Sequence, residues 1–463
     1  MAGRGGSPRG RGSSSGRVRA APSARGRGQG QGRGSPAGAA PSIRGRGRPL
    51  SADEAGAGAW AGARGAPAEE GGSAGADPRP RSSRRARGCG PRPGPGSEQQ
   101  LRAVLARLSL ARRDTVEAAA LVNELAARLV QAVKRDISFH EVEKLGAGSY
   151  YEHLKISEPD EFDIMLKVPI PRIQLDECDA TGAFHYVTFK RHPQKHLDKF
   201  LDDDGKLSAD TMLLSVRNII KEEVKNITNM TVTVKRKKPG SPAVTLLIEK
   251  PQTQISVDII LALEYRSQSW PRSTQDGLNI DQWLGKKVKQ AFKQNPLYLV
   301  PKHAKNEKVI KASTWRLSFS HIEKDIIKNH GNTKTCCEYD GVKCCRKECL
   351  KLLKYLLEQL KAKHRSRREL DKFFSYHAKT AFFHMCARRP EDKDWQFKDL
   401  DRCFHEFLDY FLDCLQKSDL PHFFIPKHNL FSPDLVDMAS SNFLSREIKY
   451  ELNNSFPIFK LEN

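Results

Sequence analysis

The chain has 463 residues, with 78 Lys plus Arg against 55 Asp plus Glu and a formal net charge of +23. It is too long for one minimal domain, has no run of about 18 apolar residues that would span a membrane as a helix, and its ten cysteines are too sparse for a disulfide-built secreted scaffold. Its N-terminus is rich in Arg and Gly and lacks the apolar core of a secretory signal, so the composition points to an intracellular protein that faces a polyanion.

The first hundred residues hold 18 Arg, no Lys, six acids and 25 of the 34 glycines. Runs such as Arg44-Gly45-Arg46-Gly47-Arg48 offer little apolar surface to offset the backbone entropy of ordering. Residues 1–95 are therefore expected to be a disordered basic tail, drawn to nucleic acid, chromatin or acidic membrane by charge, or serving only as a solubilising segment. The tail leaves +11 of the +23 for the remainder. From about Glu98 to Lys134, Leu101, Val104, Leu105 and Leu108, and then Leu121, Leu125, Leu129 and Val133, recur at helical spacing. This predicts a long spine with a break near Asp114.

Residues 141–260 alternate differently. Strands are predicted around 168–171 and 187–189 and over 231–234, 243–248 and 254–261, with a helix over 208–224 between them. This mixture argues for an α/β or α+β domain. Beyond residue 280 the pattern predicts helices over 281–294, 314–329, 345–363, 369–386, 397–416 and 441–452, and a cleft between the two parts.

Three features carry chemistry. Gly148-Ser149 supplies conformational freedom, backbone N–H groups and a hydroxyl suited to a phosphate, although a surface turn explains the pair alone equally well. Glu161-Phe162-Asp163-Ile164, read as a strand, sends both carboxylates to one face and the apolar residues to the other. Asp258 stands alone in an apolar run, where an unpartnered carboxylate is costly. If its strand neighbours the first, three acids converge. Such a group needs divalent cations, and Mg²⁺ takes carboxylate oxygens together with substrate phosphates. A two-carboxylate glycosidase site would need neither the third acid nor the turn.

Residues 330–345 hold His330, Cys336, Cys337, Cys344 and Cys345 in a polar stretch. One His and three Cys suit a tetrahedral structural Zn²⁺, and composition leaves open whether Cys344 or Cys345 is the last ligand. Lys334, Lys343, Arg346 and Lys347 surround this loop. With Lys235–Lys238, with Lys286, Lys287, Lys289 and Lys293, and with Lys302, Lys305, Lys308 and Lys311, they favour contact with the backbone of a duplex.

These motifs resemble the nucleotidyltransferase superfamily that includes oligoadenylate synthases and polymerase-beta-like enzymes. Gly148-Ser-Tyr-Tyr-Glu-His, Glu161-Phe-Asp-Ile-Met, Thr314-Trp-Arg-Leu-Ser-Phe-Ser and Tyr376-His-Ala-Lys-Thr-Ala-Phe-Phe-His are similar to the DNA-sensing cyclic GMP-AMP synthases of the Mab-21-like group, over roughly residues 100–463. The resemblance implies an α+β, bilobal nucleotidyltransferase fold. It would comprise a core over 96–312 with the spine helix, and a helical lobe over 313–463 with a zinc thumb. It implies Glu161, Asp163 and Asp258 as catalytic ligands of two Mg²⁺ (or Mn²⁺), and His330, Cys336, Cys337 and Cys344 as zinc ligands. It places Gly148, Ser149, Lys354 and Ser375 on triphosphate, Tyr376 on a base, and Arg316, Ser318 and Ser320 on the guanine nucleotide. By residue type alone, Lys354 suits helix surface and Tyr376 suits core equally well. It further implies Arg112, Lys324, Lys334 and Lys347 at sequence-nonspecific double-stranded DNA, a homodimer on DNA, residence in cytosol and nucleus, and synthesis of a cyclic dinucleotide with 2′–5′ and 3′–5′ links from ATP and GTP. Rival readings are a noncatalytic nucleic-acid scaffold and an enzyme making linear oligonucleotides. Ser109, Ile260 and Phe374 depart from the family pattern, and Ile260 cannot donate a hydrogen bond to a base.

Overall fold

A computed structural model describes residues 95–460, apart from 111, 157–159, 238–239, 252, 303–312, 339–340 and 342. The expected tail thus lies outside the described residues up to Pro95, as do Lys238, Lys305, Lys308 and Lys311. No helix among the described residues is long and apolar enough to cross a membrane.

The spine is described as α1 (Pro95–Leu110) and α2 (Arg112–Lys134), with residue 111 between them outside the described residues. The two halves have different partners. Ser97 Oγ donates to Asp401 Oδ1 at 2.6 Å and Gln100 Nε2 to the Phe456 carbonyl at 2.7 Å, so α1 joins the C-terminal helices. Helix α2 buries Val122, Leu125, Leu129 and Val133 and packs against α4 (Ala209–Lys225), whose start is capped where Thr211 N–H donates to Ser208 Oγ.

After α2 come β1 (Glu143–Ala147), the short α3 (Gly148–Tyr151), β2 (Glu161–Pro169), β3 (Ile173–Glu177) and β4 (Phe184–Phe189). Past α4 lie β5 (Val232–Val234), β6 (Ala243–Glu249), β7 (Gln254–Tyr265), α5 (Lys286–Gln294), β8 (Leu297–Pro301) and β9 (Thr314–Ser318). These strands form one sheet in the order β1-β2-β7-β8-β9-β4-β3, with β6 also on β7 and β5 on β6. Strand β7 is its axis. It runs parallel to β2 on one edge, while β6 and then β8 divide the other edge as antiparallel partners. Its alternate residues Ile255, Val257, Ile259, Leu261 and Leu263 are all buried in the main core.

Two faces follow from the register. Phe162, Ile164, Leu166 and Val168 of β2 join the main core. The opposite face carries Glu161, Asp163 and Met165 beside Ser256, Asp258 and Ile260, and farther along it Met165, Ala262, Tyr298 and Val300 make a small separate apolar cluster.

The helix expected over 314–329 is a strand followed by a shorter helix, α6 (Ser320–Lys328). Trp315 and Leu317 are buried while Arg316 and Ser318 are only partly so, which is a period of two, and Trp315 Nε1 donates to the Leu207 carbonyl at 2.8 Å. The helical spacing belongs only to Ile322, Ile326 and Ile327 beyond it. The 281–294 helix starts later, at Lys286, after Gly285 takes φ +94°. The 369–386 segment is a 3₁₀ turn over Arg368–Lys372 followed by α8 (Ser375–Arg388). Helices α7 (Arg346–Lys363), α8, α9 (Leu400–Lys417) and α10 (Met438–Asn453) complete the helical part around Leu350, Leu353, Leu357, Phe404 and Phe407.

Candidate active site and metal centre

Parallel pairing of β2 with β7 sets Asp163 directly beside Asp258, and Glu161 lies two residues earlier on the same face. Asp163 is pushed up to about 7, first by burial and then by the Glu161 and Asp258 charges. Asp258 Oδ1 is buried without a hydrogen-bond partner. Crowded carboxylates with an orphaned oxygen are what a divalent cation would satisfy, so the donor set fits Mg²⁺.

The turn above them is shaped by the same acid. Gly148 has φ +73°, and a Cβ there would overlap Asp163 Oδ2, so only glycine lets α3 lie this close to the carboxylate. Ser149 lies in α3. Arg316 and Ser318 pair with Val300 and Tyr298, which places them on the carboxylate-bearing face, and Ser320 Oγ lies 3.0 Å from Met165 Sδ. Burial lowers the Arg316 pKa, while Tyr376 and Glu323 act in the other direction. Ile260 lies next to Met165 and extends the apolar floor beyond Asp258.

The helical part contributes from the other side. Lys354 is buried, its Nζ donates to the Leu154 carbonyl at 2.7 Å, and desolvation with the nearby Lys379 charge brings it down to about 8. Ser375 is exposed at the start of α8. Tyr376 Oη donates to Glu323 Oε1 at 2.9 Å and lies 2.8 Å from His422 Nε2. Phe374, just before, is 59% exposed.

Sequence reasoning missed a charged group beside these residues. Lys379 Nζ lies 2.6 Å from Glu152 Oε1 and 3.2 Å from Glu323 Oε2, with all three side chains largely removed from solvent. Burial opposes the Lys379 charge, but Glu323 and Glu152 outweigh it and hold the ammonium above its ordinary range. Glu152 and Lys379 are 227 positions apart, and no local pattern marks them as partners.

The second centre gathers His330, Cys336, Cys337 and Cys344, whose ligand atoms all lie within 4.8 Å of one another. His330 Nδ1 is 3.0 Å from the Ile327 carbonyl, which leaves the buried, unpartnered Nε2 as the free ligand atom. Cys337 reaches the cluster through φ +63°. The cysteine question is settled by direction: Cys344 joins the cluster, while Cys345 is buried as the residue before α7, among Cys349 and Cys403. Four side-chain donors of this kind could hold a structural zinc ion.

Arg346 corrects the picture of a wholly basic loop. It is fully buried, with Nη1 2.6 Å from Asp392 Oδ1 and Nη2 donating to the Pro390 carbonyl. Asp392 in turn accepts from Asn332 N, Thr333 N and Thr333 Oγ1. The pair clamps the metal loop and does not project from it. Lys334 and Lys343 are exposed and Lys347 half-buried. Lys324 donates to the Gly146 carbonyl at 3.3 Å and sits over the Tyr151 ring. Arg112 opens α2, and its side chain lies outside the described residues. Ser109 Oγ donates to the Ala106 carbonyl within α1.

Comparison with known proteins agrees with this arrangement. Residues 150–329 match the Mab-21 protein nucleotidyltransferase domain, and residues 345–450 match the Mab-21 protein HhH/H2TH-like domain. The chain is 57% identical to the cyclic GMP-AMP synthase of Sus scrofa over 78% of its own length and 72% of that protein. It is 55% identical to that of Mus musculus, over 78% and 70%. A cyclic GMP-AMP synthase-like receptor of Magallana gigas is 26% identical, over 69% and 52%. Glu161, Asp163 and Asp258 thus sit within the first matched domain, the glycine turn directly before it and the His/Cys cluster between the two, and the chain belongs to the cyclic GMP-AMP synthase family.

Proposed function

We propose that this chain is an innate immune DNA sensor: a nucleotidyltransferase, activated by double-stranded DNA, that makes cyclic GMP-AMP with 2′–5′ and 3′–5′ links from ATP and GTP. The observation that carries the reading is the register of Asp163 against Asp258, with Glu161 on the same face and Gly148 fitted over them, in a chain of this family. Glu161, Asp163 and Asp258 would hold Mg²⁺. Two such ions, when bound, activate the attacking hydroxyl and offset charge on the pyrophosphate. In each of two rounds a ribose oxygen bonds to the α-phosphorus, the bond to pyrophosphate breaks, and the hydroxyl proton passes to solvent. Burial and the Glu161 and Asp258 charges favour the protonated form of Asp163, and a bound cation would oppose them.

The remaining roles are positional. The Gly148-Ser149 turn, Lys354 and Ser375 orient the triphosphate, and Tyr376 supports a base. Arg316, Ser318 and Ser320 receive the guanine nucleotide. His330, Cys336, Cys337 and Cys344 would hold one Zn²⁺ with protein ligands at every position, which suits a structural role. The stiffened loop presents Lys334, Lys343 and Lys347. With Arg112 and Lys324 these would serve sequence-nonspecific DNA contact and a homodimer assembled on DNA, in cytosol and nucleus. The basic tail would add contact with chromatin or acidic membrane.

Incubation with ATP, GTP, Mg²⁺ and long duplex, followed by mass analysis, tests the reading. A cyclic dinucleotide should form, rise steeply with duplex, and vanish in a Glu161→Ala/Asp163→Ala variant. Linear polymers, or equal yield without DNA, would defeat it.

A further inference from the structure

Three lysines, one from each of three C-terminal helices, hold the segment that carries the glycine turn. Lys324 of α6 donates to the Gly146 carbonyl at 3.3 Å, and Lys354 of α7 to the Leu154 carbonyl at 2.7 Å. Lys379 of α8 reaches the Glu152 carboxylate at 2.6 Å. The first two end on backbone carbonyls, which every residue type supplies. The third needs a particular side chain, and it is the one ion pair of the three.

Stability alone is a poor reason for that pair. The Glu152 side chain is 0% exposed and Lys379 14%, so both charges have lost most of their hydration. Apolar residues of similar volume often serve a fold as well as a buried ion pair, or better. Glu152 also leaves Oε2 buried without a partner, a further cost. What a buried pair supplies is a fixed position. Glu152 directly follows α3, and Gly148 of α3 lies against Asp163 Oδ2. A displacement of Glu152 is therefore carried over one helical turn to Ser149 and to the acid.

We propose that Glu152 is a positioning residue: by receiving the buried Lys379 ammonium it fixes the Gly148–Tyr151 turn against the Asp163 carboxylate, and so sets the alignment in which a triphosphate reacts. Glu323 is the second anchor of the same ammonium, and Tyr376 Oη tethers Glu323 in turn. The turn, α6 and α8 are thereby joined through one cation. This rests on the nucleotidyl-transfer reading above.

The test uses the full chain with long duplex, ATP, GTP and Mg²⁺, comparing wild type, Glu152→Gln and Glu152→Asp. The Gln variant keeps the shape and loses the charge. The Asp variant keeps the charge and shortens the reach, so it guards against a Gln variant that fails to fold. The expected result is a kcat at least tenfold lower in each folded variant, with KM for ATP within about threefold and Tm within a few degrees of wild type, because Glu323 still pairs the Lys379 ammonium. A kcat within twofold of wild type in either folded variant overturns the proposal. So does a fall in kcat that only tracks a fall in folded fraction, since that marks a structural role. Absence of product from wild type itself would sink the nucleotidyl-transfer reading, a result separate from any difference between variants.

Discussion

At single positions, the site is governed by how little room the acids leave. Replacing Gly148 by Ala forces a Cβ onto Asp163 Oδ2 and asks a chiral residue to hold φ +73°. The backbone term alone is about 1–2 kcal/mol, and the turn must also shift off the acid. Product formation should drop by tenfold or more while the fold persists, read by turnover beside a thermal melt. Asp258→Asn tests the acids differently. It removes a charge from beside Asp163 without changing volume, so turnover should fall by about 10³ while Tm holds or rises, because like charges no longer face each other. Lys354 offers a pH test. Its folded pKa, about 8, lies below its ordinary 10.5, so the folded chain binds fewer protons than the unfolded chain between those values. Stability should therefore rise with pH across that window, by at most about 3 kcal/mol at ~1.4 kcal/mol per unit. Urea unfolding at pH 8 and 10 should show the rise in wild type and lose it in Lys354→Met.

At the scale of elements, the metal loop and the spine show how local signals are completed by distant partners. The loop's ligands are close in sequence, and their types alone point to a metal. What fixes the loop to the body is Asp392, more than forty positions beyond the last of those ligands. Asp392→Asn would leave the fully buried Arg346 without its counter-charge. Loss of one partner from such a pair costs about 3–5 kcal/mol, so the urea midpoint should fall sharply. Chelation should lower Tm through the same loop, and the variant should release metal faster in a colorimetric chelator assay. The spine made a different demand. The helical repeat in residues 98–134 is real, and its two halves have different partners: α1 answers to Asp401 and Phe456, and α2 to α4. The error over 314–329 has a local origin: a short strand abuts a helix, and the Ile residues of α6 supply a period that spreads backward over Trp315 and Leu317.

For the whole molecule, basic charge divides between the N-terminal segment and lysines occupied within the fold. The sequence places +12 in the first hundred residues, while Lys354 and Lys379 of the C-terminal helices are occupied inside the fold. Phosphate contacts make affinity fall with salt in proportion to the number of charges neutralised, about 0.9 in log–log slope for each. A chain beginning at residue 95 should bind duplex with a visibly flatter salt slope than the full chain, measured by anisotropy from 50 to 300 mM salt. It should still give DNA-stimulated product. An unchanged slope would place the tail away from DNA.

The sequence by itself determined the basic character, the strand bearing Glu161 and Asp163, the isolated Asp258 and the His/Cys loop, because these are written in residue type and short spacing. It also determined that Cys344 or Cys345 must complete that loop, without choosing between them. Only the tertiary structure brought Asp163 beside Asp258, turned Cys345 into the core, withdrew Arg346 from the surface and joined Lys379 to Glu152. Those outcomes depend on strand register, on the phase at which α7 begins, and on contacts between residues tens to hundreds of positions apart. Such contacts leave no periodicity along the chain, since each partner satisfies its charge in space and its immediate sequence neighbours carry no trace of the pairing.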